Sequence, residues 1–311
     1  MTLAHWDEVE KVERDHGAVR ACWTFLGEAA GSVGVGVRRI ELEPGDLSTP
    51  AHVHLDAEEI FFVLGGSGLS WQGGATYEIG PGDCLVHRAG GEPHTLRGGA
   101  GGLDVLAFGP RPRTGATLLP NQGTAWLGPT WVDAGAGAHP FGREPELDWP
   151  APSPRSATIV HRDAADPAFG GVIRLLGKSA GAVRSGLNWT SLPPNEEGAP
   201  PHCHTAEEEL FVVLDGDGAL ELWAPASGEH PHQTEPQETH PVRRGHVVSR
   251  LPGTRISHSF RAGPDGLTYL AYGTKEPTDI CYYPRSNKVF LRGIGVIARL
   301  DLLDYSDGEP S

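Results

Sequence analysis

The stretch PAHVHLDAEEIFFVLGGSG, residues 50–68, decides the fold of this 311-residue chain, because it returns as PPHCHTAEEELFVVLDGDG at residues 200–218. Each copy contains a His-x-His pair followed by a glutamate, and these residues are His52, His54 and Glu59 in the first copy and His202, His204 and Glu209 in the second, 150 positions later. Two independent occurrences of the same pattern are improbable. The pattern therefore marks an internal repeat that carries a site.

A third histidine follows each group. His94 lies in GGEPHTLR and His258 lies in TRISHSFR, 164 positions apart. The offset between the copies thus grows by 14 residues, 164 minus 150, and we place these residues in SGEHPHQTEPQETHP at 227–241, which we expect to be a polar loop. At the new offset the match continues to Val132 and Val296, so the duplication covers nearly the whole chain.

The composition favours an all-β fold. The 43 glycines and 27 prolines, with 38% hydrophobic residues, are typical of short strands joined by tight turns. We predict two domains, residues 1–135 and 157–311, joined by a Pro- and Gly-rich linker at 136–156. We expect one short amphipathic helix at residues 5–15, because Trp6, Val9 and Val12 are spaced to share a face.

Charge and hydropathy exclude several kinds of partner. A net charge of −15 argues against nucleic acid, since binding its phosphates needs clustered Lys and Arg. No apolar run approaches the roughly 20 residues that span a bilayer, and the N-terminus is too charged for a secretory signal. The four cysteines have no CxxC spacing, which is typical of reduced thiols. We therefore expect a cytoplasmic protein whose partner is a small molecule.

The spacing of the histidines suits metal binding. Alternate residues of a strand share a face, so His52 and His54 point the same way, and His94 must come from a strand that the fold brings alongside. A single histidine is most often an ordinary core or surface residue. The recurrence of three imidazoles and one carboxylate favours instead a first-row divalent metal, with coordination positions left open for water or substrate.

Strand parity separates other polar residues from this set. Cys203 lies between two ligands but on the opposite face, so we expect packing rather than ligation. The acids Glu58 and Glu208 are out of parity with Glu59 and Glu209, and we expect them to be solvated or to contact a metal ligand from behind, as second-shell groups do. We expect Arg97 and Arg261, three residues after the last histidines, to form structural ion pairs at the outer surface.

The sequence identifies no general base. Tyr77 is a titratable candidate. The histidines of the inserted segment are expected to be solvated, with an incidental surface metal site as the alternative; they are His230, His232 and His240. The aromatic residues that could line a pocket, or simply pack in the core, are Phe61, Phe211, Trp71 and Trp189.

The chain resembles the cupin superfamily. The first family motif, approximately G-x5-H-x-H-x(3,4)-E-x6-G, is matched by the residues named above and closes at Gly66 and Gly216. The second motif, approximately G-x5-P-x-G-x2-H-x3-N, is matched by Gly82, Gly90 and His94 in the first copy and by Gly245, Gly253 and His258 in the second. The departures are one extra residue between Gly45 and His52, Arg88 and Leu251 at the proline position, one or two extra residues before the last histidine, and Gly98 and Ala262 at the final Asn.

Two such copies resemble a bicupin. The resemblance implies two tandem double-stranded β-helix (jelly-roll) barrels, with one divalent transition metal (Mn, Fe, Zn or Ni) inside each, near one mouth, and a homodimer as the expected assembly. The implied metal ligands are His52, His54, Glu59 and His94 in one barrel and His202, His204, Glu209 and His258 in the other. The sequence does not favour either barrel as the active one.

Three functions are compatible with this resemblance. The first is a divalent-metal-dependent enzyme acting on a small organic molecule, of the dioxygenase, decarboxylase, aminohydrolase or isomerase type. The second is a ligand-binding or sensory module without turnover, and the third is a storage or structural protein. Two complete ligand sets weigh against the third, because buried Glu and His are costly unless something binds them.

Overall fold

A computed structural model describes residues 2–112, 114–128, 130–133, 139–225, 233–303 and 305–308. In this part of the chain the fold is all-β, as the composition predicts, and the two α-helices have four residues each. Each repeat builds one eight-stranded and one four-stranded sheet, and all strand pairs within these sheets are antiparallel. None of the described helices is long and apolar enough to cross a membrane.

The first half of the chain contains short strands joined by turns. The strands are β1 (Thr2–His5), β2 (Lys11–His16), β3 (Val19–Thr24), β4 (Val35–Leu42), β5 (Val53–His54), β6 (Glu59–Gln72), β7 (Ala75–Ile79), β8 (Asp83–His87), β9 (His94–Pro110), β10 (Ala116–Leu119), β11 (Thr124–Leu127) and β12 (Thr130–Asp133). The helices are α1 (Leu26–Ala29) and 3-10 turns at Pro120–Gln122 and Pro140–Arg143.

The second half repeats this order. Its strands are β13 (Ile159–His161), β14 (Pro167–Ala168), β15 (Ile173–Arg174), β16 (Ser185–Leu192), β17 (Cys203–His204), β18 (Glu209–Trp223), β19 (Glu238–Arg243), β20 (His246–Arg250), β21 (Ser257–Thr274), β22 (Ile280–Tyr283), β23 (Lys288–Leu291) and β24 (Val296–Arg299). Its helices are α2 (Leu176–Ser179) and 3-10 turns at Arg162–Ala164, Phe169–Gly171 and Arg292–Ile294.

Equivalent strands hold equivalent places in the two repeats. The large sheets run β13-β8-β6-β9-β4-β3-β2, with β7 on β6, and β1-β20-β18-β21-β16-β15-β14, with β19 on β18. The small sheets run β12-β11-β10-β5 and β24-β23-β22-β17. The two barrels therefore have the same topology, and the duplication inferred from the sequence is present in the fold.

The repeats exchange their outer strands. Strand β1 pairs with β20 of the second repeat, and β13 pairs with β8 of the first. The helix expected at residues 5–15 is therefore wrong, because its ends belong to β1 and β2. Trp6 is buried in the core shared by the repeats. Pairing with the other repeat outweighs the local helical pattern.

The continuous apolar run of β6 is explained by burial on both faces of the strand. Ile60 and Phe62 belong to a core that joins the two repeats, whereas Phe61 and Val63 belong to the core of the first barrel. Glu59 has the same parity as Phe61, so its side chain faces the barrel interior. The run Leu210 to Val213 of β18 alternates in the same way.

Each motif glycine stands at an irregularity of its long strand. The backbone of Gly66 has a φ of +74°, and the register of β6 against β9 shifts there. A Cβ at this position would collide with the carbonyl of Gly102. The equivalent Gly216 has a φ of +73° and the same constraint against Gly266. Only glycine fits both requirements.

The acids Glu58 and Glu208 join the repeats, and the expectation that they are solvated or second-shell groups is wrong. Their relative exposures are 1% and 5%. Glu58 accepts backbone hydrogen bonds from Val183 (2.9 Å), Arg184 (2.9 Å) and Ser185 (3.0 Å) of the second repeat, and one from the Ser185 hydroxyl (2.8 Å).

Glu208 makes the reciprocal contact, accepting from the backbone N–H groups of Val33 (3.0 Å) and Gly34 (2.6 Å) of the first repeat. Strand parity correctly predicts that both acids point away from the barrel interiors. The face they occupy is the interface between the repeats rather than solvent. Parity along one strand gives the face on which a side chain lies but not the element that packs against that face, which here is the second barrel.

The inserted segment is only partly a loop. Residues 226–232 lie outside the described residues, and with them the predictions for His230 and His232. Residues Glu238–Arg243 form β19, which pairs with β18 as β7 pairs with β6, so the expectation of a loop is wrong from 238 onward. An unpaired edge of β18 would leave backbone groups without partners. His240 lies within 3.1 Å of the Glu238 carboxylate.

Candidate metal centres

The first centre forms where the ends of three strands meet. His54 ends β5, Glu59 begins β6 and His94 begins β9, while His52 forms a bridge to His94 just before β5. The Nε2 atoms of His52, His54 and His94 lie 3.3, 3.6 and 3.0 Å from the Oε2 atom of Glu59. All four predicted side chains thus converge on one point.

The Nδ1 atoms of all three histidines have hydrogen-bond partners, and that of His94 lies 3.4 Å from the Glu92 carbonyl. The Nδ1 atom of His52 lies 3.0 Å from the Pro50 carbonyl, and that of His54 lies 2.8 Å from the Thr117 hydroxyl. Since a carbonyl only accepts, His52 donates from Nδ1 to Pro50. Such outer contacts orient metal-binding imidazoles.

Electrostatics leave the cluster with a negative carboxylate and a neutral imidazole. Burial raises the pKa of Glu59, but hydrogen bonds from its three histidines outweigh this effect and hold the pKa well below its usual range. Burial lowers the pKa of His94 to about 4. A neutral imidazole and an ionised carboxylate, as at His94 and Glu59, are the protonation states in which these groups bind a metal ion.

The second centre repeats this geometry. The Nε2 atoms of His202, His204 and His258 lie 3.7, 3.5 and 3.2 Å from the Oε2 atom of Glu209. The Nδ1 atom of His202 lies 2.8 Å from the Pro200 carbonyl. Burial lowers the pKa of His258 to about 3.

The donor atoms of both centres fit a divalent transition metal. The Oε2 atom of Glu209 and the Nε2 atom of His258 are buried and have no hydrogen bond of adequate geometry. Unpaired buried polar atoms are costly, so these two atoms of the second centre fit a site that binds a metal ion. Three imidazole nitrogens and one carboxylate oxygen suit Mn, Fe, Ni or Zn better than Ca or Mg.

The first centre opens onto a cavity of about 440 Å³. Its floor includes His52, His54 and Glu59, and its walls are mainly aromatic and basic: Trp23, Trp126, Trp131, Phe141, Arg14 and Arg38. A second cavity of about 330 Å³ reaches His54 and Glu59 from another side, where the small residues Ala57, Gly115 and Gly128 leave room. Small-molecule sites have volumes of this size.

The second centre is closed, in the part of the chain that the structure describes. The recess beside His204 and Glu209 has a free volume of about 0 Å³. The counterparts of Ala57, Gly115 and Gly128 are larger and charged: Glu207, Asp279 and Arg292.

These three residues form an ionic network in the second barrel. Arg292 donates a hydrogen bond to Glu207, and its Nε lies 3.8 Å from Asp279. The His204 Nδ1 lies 2.7 Å from the Asp279 carboxylate. Tyr283, at the position of Leu119, places its ring 5.9 Å from that of His202. The network and this ring fill the space that is open in the first repeat.

Two residues beside the centres were missed in the sequence. His87 stacks on His94 with ring centroids 3.6 Å apart and an interplanar angle of 4°, and Arg250 holds the equivalent register position in the second repeat. The sequence feature that could have identified them is their place at the end of the strand before the third histidine of each repeat, His87 in β8 and Arg250 in β20. Cys281 lies with His202 and His204 in one group of potential ligands, although burial raises its pKa to about 12.

Other predictions had mixed outcomes. Cys203 belongs to none of the potential ligand groups among the described residues, as parity predicts. Arg261 forms the expected ion pairs, with Glu221 at 2.7 Å and Glu197 at 3.3 Å. Arg97 instead lies over the ring of Trp149, 5.4 Å from its centroid, so the ion pair predicted there is wrong.

Of the four aromatic residues predicted to line a pocket or to pack in the core, one lines the larger cavity. Phe61 lines the larger cavity, whereas Phe211 packs against Phe260 in the second core. Trp71 donates its indole N–H to the Asp148 carbonyl, and Trp189 lies under the Arg162 guanidinium. Neither indole reaches a metal centre, because both project from the outer faces of their strands.

Comparison with known proteins agrees with this geometry. Residues 38–102, which contain most of the first centre, match the family model described as the cupin domain. No curated protein matches the sequence. The oxalate decarboxylase of Lactobacillus farciminis, solved as a formate complex, is 16% identical with a TM-score of 0.62, over 90% of this chain and 88% of that one.

A deletion mutant of Bacillus subtilis oxalate decarboxylase is 14% identical, with a TM-score of 0.58 over 88% of this chain and 76% of that one. The structure of the Bacillus subtilis enzyme at pH 4.6 is also 14% identical, with a TM-score of 0.57. At these identities the similarity establishes the fold and not the function.

Proposed function

We propose that this chain, whose residues 38–102 match the cupin domain and whose two repeats have the same barrel topology, is a divalent-metal-dependent enzyme that acts on a small organic molecule at the first centre. The observation that carries this proposal is the difference between the centres. Both offer the same four donors, but only the first opens onto a cavity of about 440 Å³ within the described chain. A substrate needs that space.

The ligands proposed for the first barrel are His52, His54, Glu59 and His94. A metal bound there would supply Lewis acidity and open positions for substrate oxygen atoms. The Pro50 carbonyl and the Thr117 hydroxyl hold two of the imidazoles in place. Aromatic walls such as Phe61 and Trp126 lower the local polarity, which strengthens electrostatic contacts with the substrate.

The second barrel has a structural role in this proposal. His202, His204, Glu209 and His258 would hold one ion that ties β17, β18 and β21 together, beneath the Glu207–Arg292 network. One divalent ion per barrel, drawn from Mn, Fe, Zn or Ni, is thus proposed. A cytoplasmic location and a homodimer stay predictions from the sequence.

The direct test combines elemental analysis with a turnover screen. Protein is replenished with Mn, Fe, Zn or Ni in turn and its metal content is measured by mass spectrometry. Small carboxylic, keto and hydroxy acids are then assayed for oxygen uptake, carbon dioxide release and other product formation. We expect two ions per chain and turnover of at least one compound. Failure to retain any metal contradicts the proposal, and binding without product indicates a non-catalytic ligand-binding module.

Removal of the metal is expected to lower the melting temperature. A ligand present at 100 times its dissociation constant stabilises a fold by about 2.7 kcal/mol, or roughly 5–10 °C for a domain of about 150 residues. Calorimetry with and without a chelator measures this shift. Readdition of Mn or Zn should reverse it, whereas Mg should not, because imidazole is a poor ligand for Mg. An unchanged melting temperature would count against both centres.

Partial filling of the cavity should restrict substrate access without removing the metal. Leu119 lines the cavity at 2% exposure, and the second repeat has Tyr283 at its position. We expect Leu119→Tyr to lower kcat/KM by about tenfold or more, equivalent to ~1.4 kcal/mol, with two ions per chain retained. The reverse change at the closed centre, Tyr283→Leu, serves as the control and should change kcat/KM less than about twofold. Full activity of Leu119→Tyr would place the substrate elsewhere.

A further inference from the structure

The larger cavity has the opposite charge character to the rest of the chain. The protein has a net charge of −15, yet among the described residues that line the cavity there is one acid, Glu59, which is a proposed metal ligand. Two arginines, Arg14 of β2 and Arg38 of β4, line the same space. An acidic protein that excludes other carboxylates from this cavity presents a local site for an anion.

These two arginines lack ionic partners. Their guanidinium carbons lie 5.4 and 5.3 Å from the ring centroid of Trp23, and neither side chain has a hydrogen bond or ion pair with any residue that the structure describes. The adjacent Arg39, by contrast, is bound to Asp104 at 2.8 and 3.0 Å. The indole ring fixes both guanidinium groups while leaving their N–H donors free.

Hydrogen-bond donors without acceptors lie beside these two arginines. The Nε atom of Arg14 and the Nε1 atom of Trp23 are buried without a hydrogen-bond partner. Trp23 is 7% exposed and lines the cavity. Burial and the electrostatic effect of neighbouring side chains, including Arg14 and Arg143, lower the pKa of His139. Each feature fits a negative ligand, because buried donors without acceptors are unfavourable.

Flat aromatic groups form the other walls. The rings of Trp126 and Trp131 lie 5.0 Å apart, and His16 and His139 are stacked with centroids 4.5 Å apart. Phe141 contacts this cluster edge-on at 5.8 Å from His16. Aromatic side chains pack best on planar apolar groups, face to face with an offset or edge to face.

The geometry points to a planar aromatic carboxylate as the ligand of this cavity, with Arg14 and Arg38 holding the carboxylate and the indoles of Trp126 and Trp131 contacting the ring. This inference rests on the proposed function in placing the ligand beside the first metal centre. It specifies a ligand with an apolar body, whereas the oxalate named for the structural neighbours has none.

The second repeat provides an internal comparison. Asn188 stands at the position of Arg38 and Ile173 at that of Trp23, in the same strand registers. The anion-binding residues thus occur in the repeat that has the cavity. Arg38→Asn is consequently a substitution that this fold already accommodates at the equivalent place.

The test uses benzoate as the probe, with benzyl alcohol as its uncharged analogue and oxalate as an anion without a ring. Binding to the metal-loaded full chain is measured by titration calorimetry and by quenching of tryptophan fluorescence. We expect benzoate to bind at least about tenfold more tightly than either analogue, since charge-assisted hydrogen bonds and ring contacts must both be present.

Arg14→Gln and Arg38→Asn should each weaken benzoate binding by about 10-fold to 100-fold and leave benzyl alcohol binding within about twofold. Arg38→Lys, which keeps the charge, should recover part of the loss. Arg20→Gln is the matched control, because Arg20 lies on the same β2–β3 hairpin but is exposed and pairs with Asp15. Its benzoate affinity should not change.

The metal content of each variant separates this inference from the proposed function. Two retained ions with benzoate binding that is unaffected by Arg14→Gln and Arg38→Asn overturn the ligand assignment and leave the metal enzyme standing. Arginine-dependent benzoate binding by a protein that retains no metal supports the ligand assignment and overturns the proposed function. Equal affinity for oxalate and benzoate overturns the aromatic part of the assignment.

Discussion

Glu59→Gln is expected to remove one of two metal ions per chain and to lower turnover by about 1,000-fold. The Glu59 carboxylate is the one anionic donor among the three histidines of the first centre, and all three Nε2 atoms lie within 3.6 Å of its Oε2. A neutral amide cannot balance the charge of a divalent ion. Loss of several kcal/mol of transition-state stabilisation corresponds to this rate effect. Elemental analysis and kcat/KM are measured on the same preparation.

Glu209→Gln is the matched variant. It should also remove one ion, but kcat/KM should fall by less than about fivefold, because the described residues around the second centre leave a free volume of about 0 Å³ for a substrate. The two variants differ only in which barrel loses its carboxylate. If Glu209→Gln abolishes turnover and Glu59→Gln does not, the active site lies in the second repeat and the cavity argument is wrong.

Glu58→Gln is expected to reduce the free energy of unfolding by about 3 kcal/mol or more. Its buried carboxylate accepts four hydrogen bonds from Val183, Arg184 and Ser185. A glutamine turns an NH₂ group toward some of these donors and leaves them unpaired in the interface between the repeats, where each unsatisfied group costs about 1–3 kcal/mol. Urea denaturation, followed by tryptophan fluorescence, measures the change.

The reciprocal acid gives the internal comparison. Glu208 receives two hydrogen bonds from the other repeat, so Glu208→Gln should cost less than Glu58→Gln. The exposed Glu78 on β7 is the control, and Glu78→Gln should change stability by about 0.5 kcal/mol or less. A loss below 1 kcal/mol for Glu58→Gln would mean that this contact does not hold the repeats together.

These contacts also bear on the relation between the two centres. Glu58 directly precedes Glu59, and Glu208 directly precedes Glu209. The proposed glutamate ligand of each barrel therefore follows a residue that is hydrogen-bonded to the opposite repeat. The long strands β6 and β18 are thereby fixed at the points where they enter their centres. A closed second barrel can in this way stabilise an open first one.

The sequence by itself determined the duplication, the all-β fold and the four donors of each candidate centre. These features depend on spacing along the chain, since alternate residues of a strand share a face wherever the strand is placed. Parity kept Cys203 out of the donor set, and the six residues between Glu59 and Gly66, together with the apolar run that follows Glu59, favoured Glu59 over Glu58. The matching offset of His94 and His258 identified the third histidine before any contact was known.

The tertiary structure alone decided which centre is open. Ala57, Gly115 and Gly128 are distant in sequence and leave a cavity only because the loops around β10 and β11 fold over β5. The same packing brings Arg14 and Arg38 to one indole, and the exchange of β1 and β13 replaces a predicted helix with strands. Free volume and unpaired charge are properties of groups brought together from separate strands, so no local pattern in the sequence encodes them.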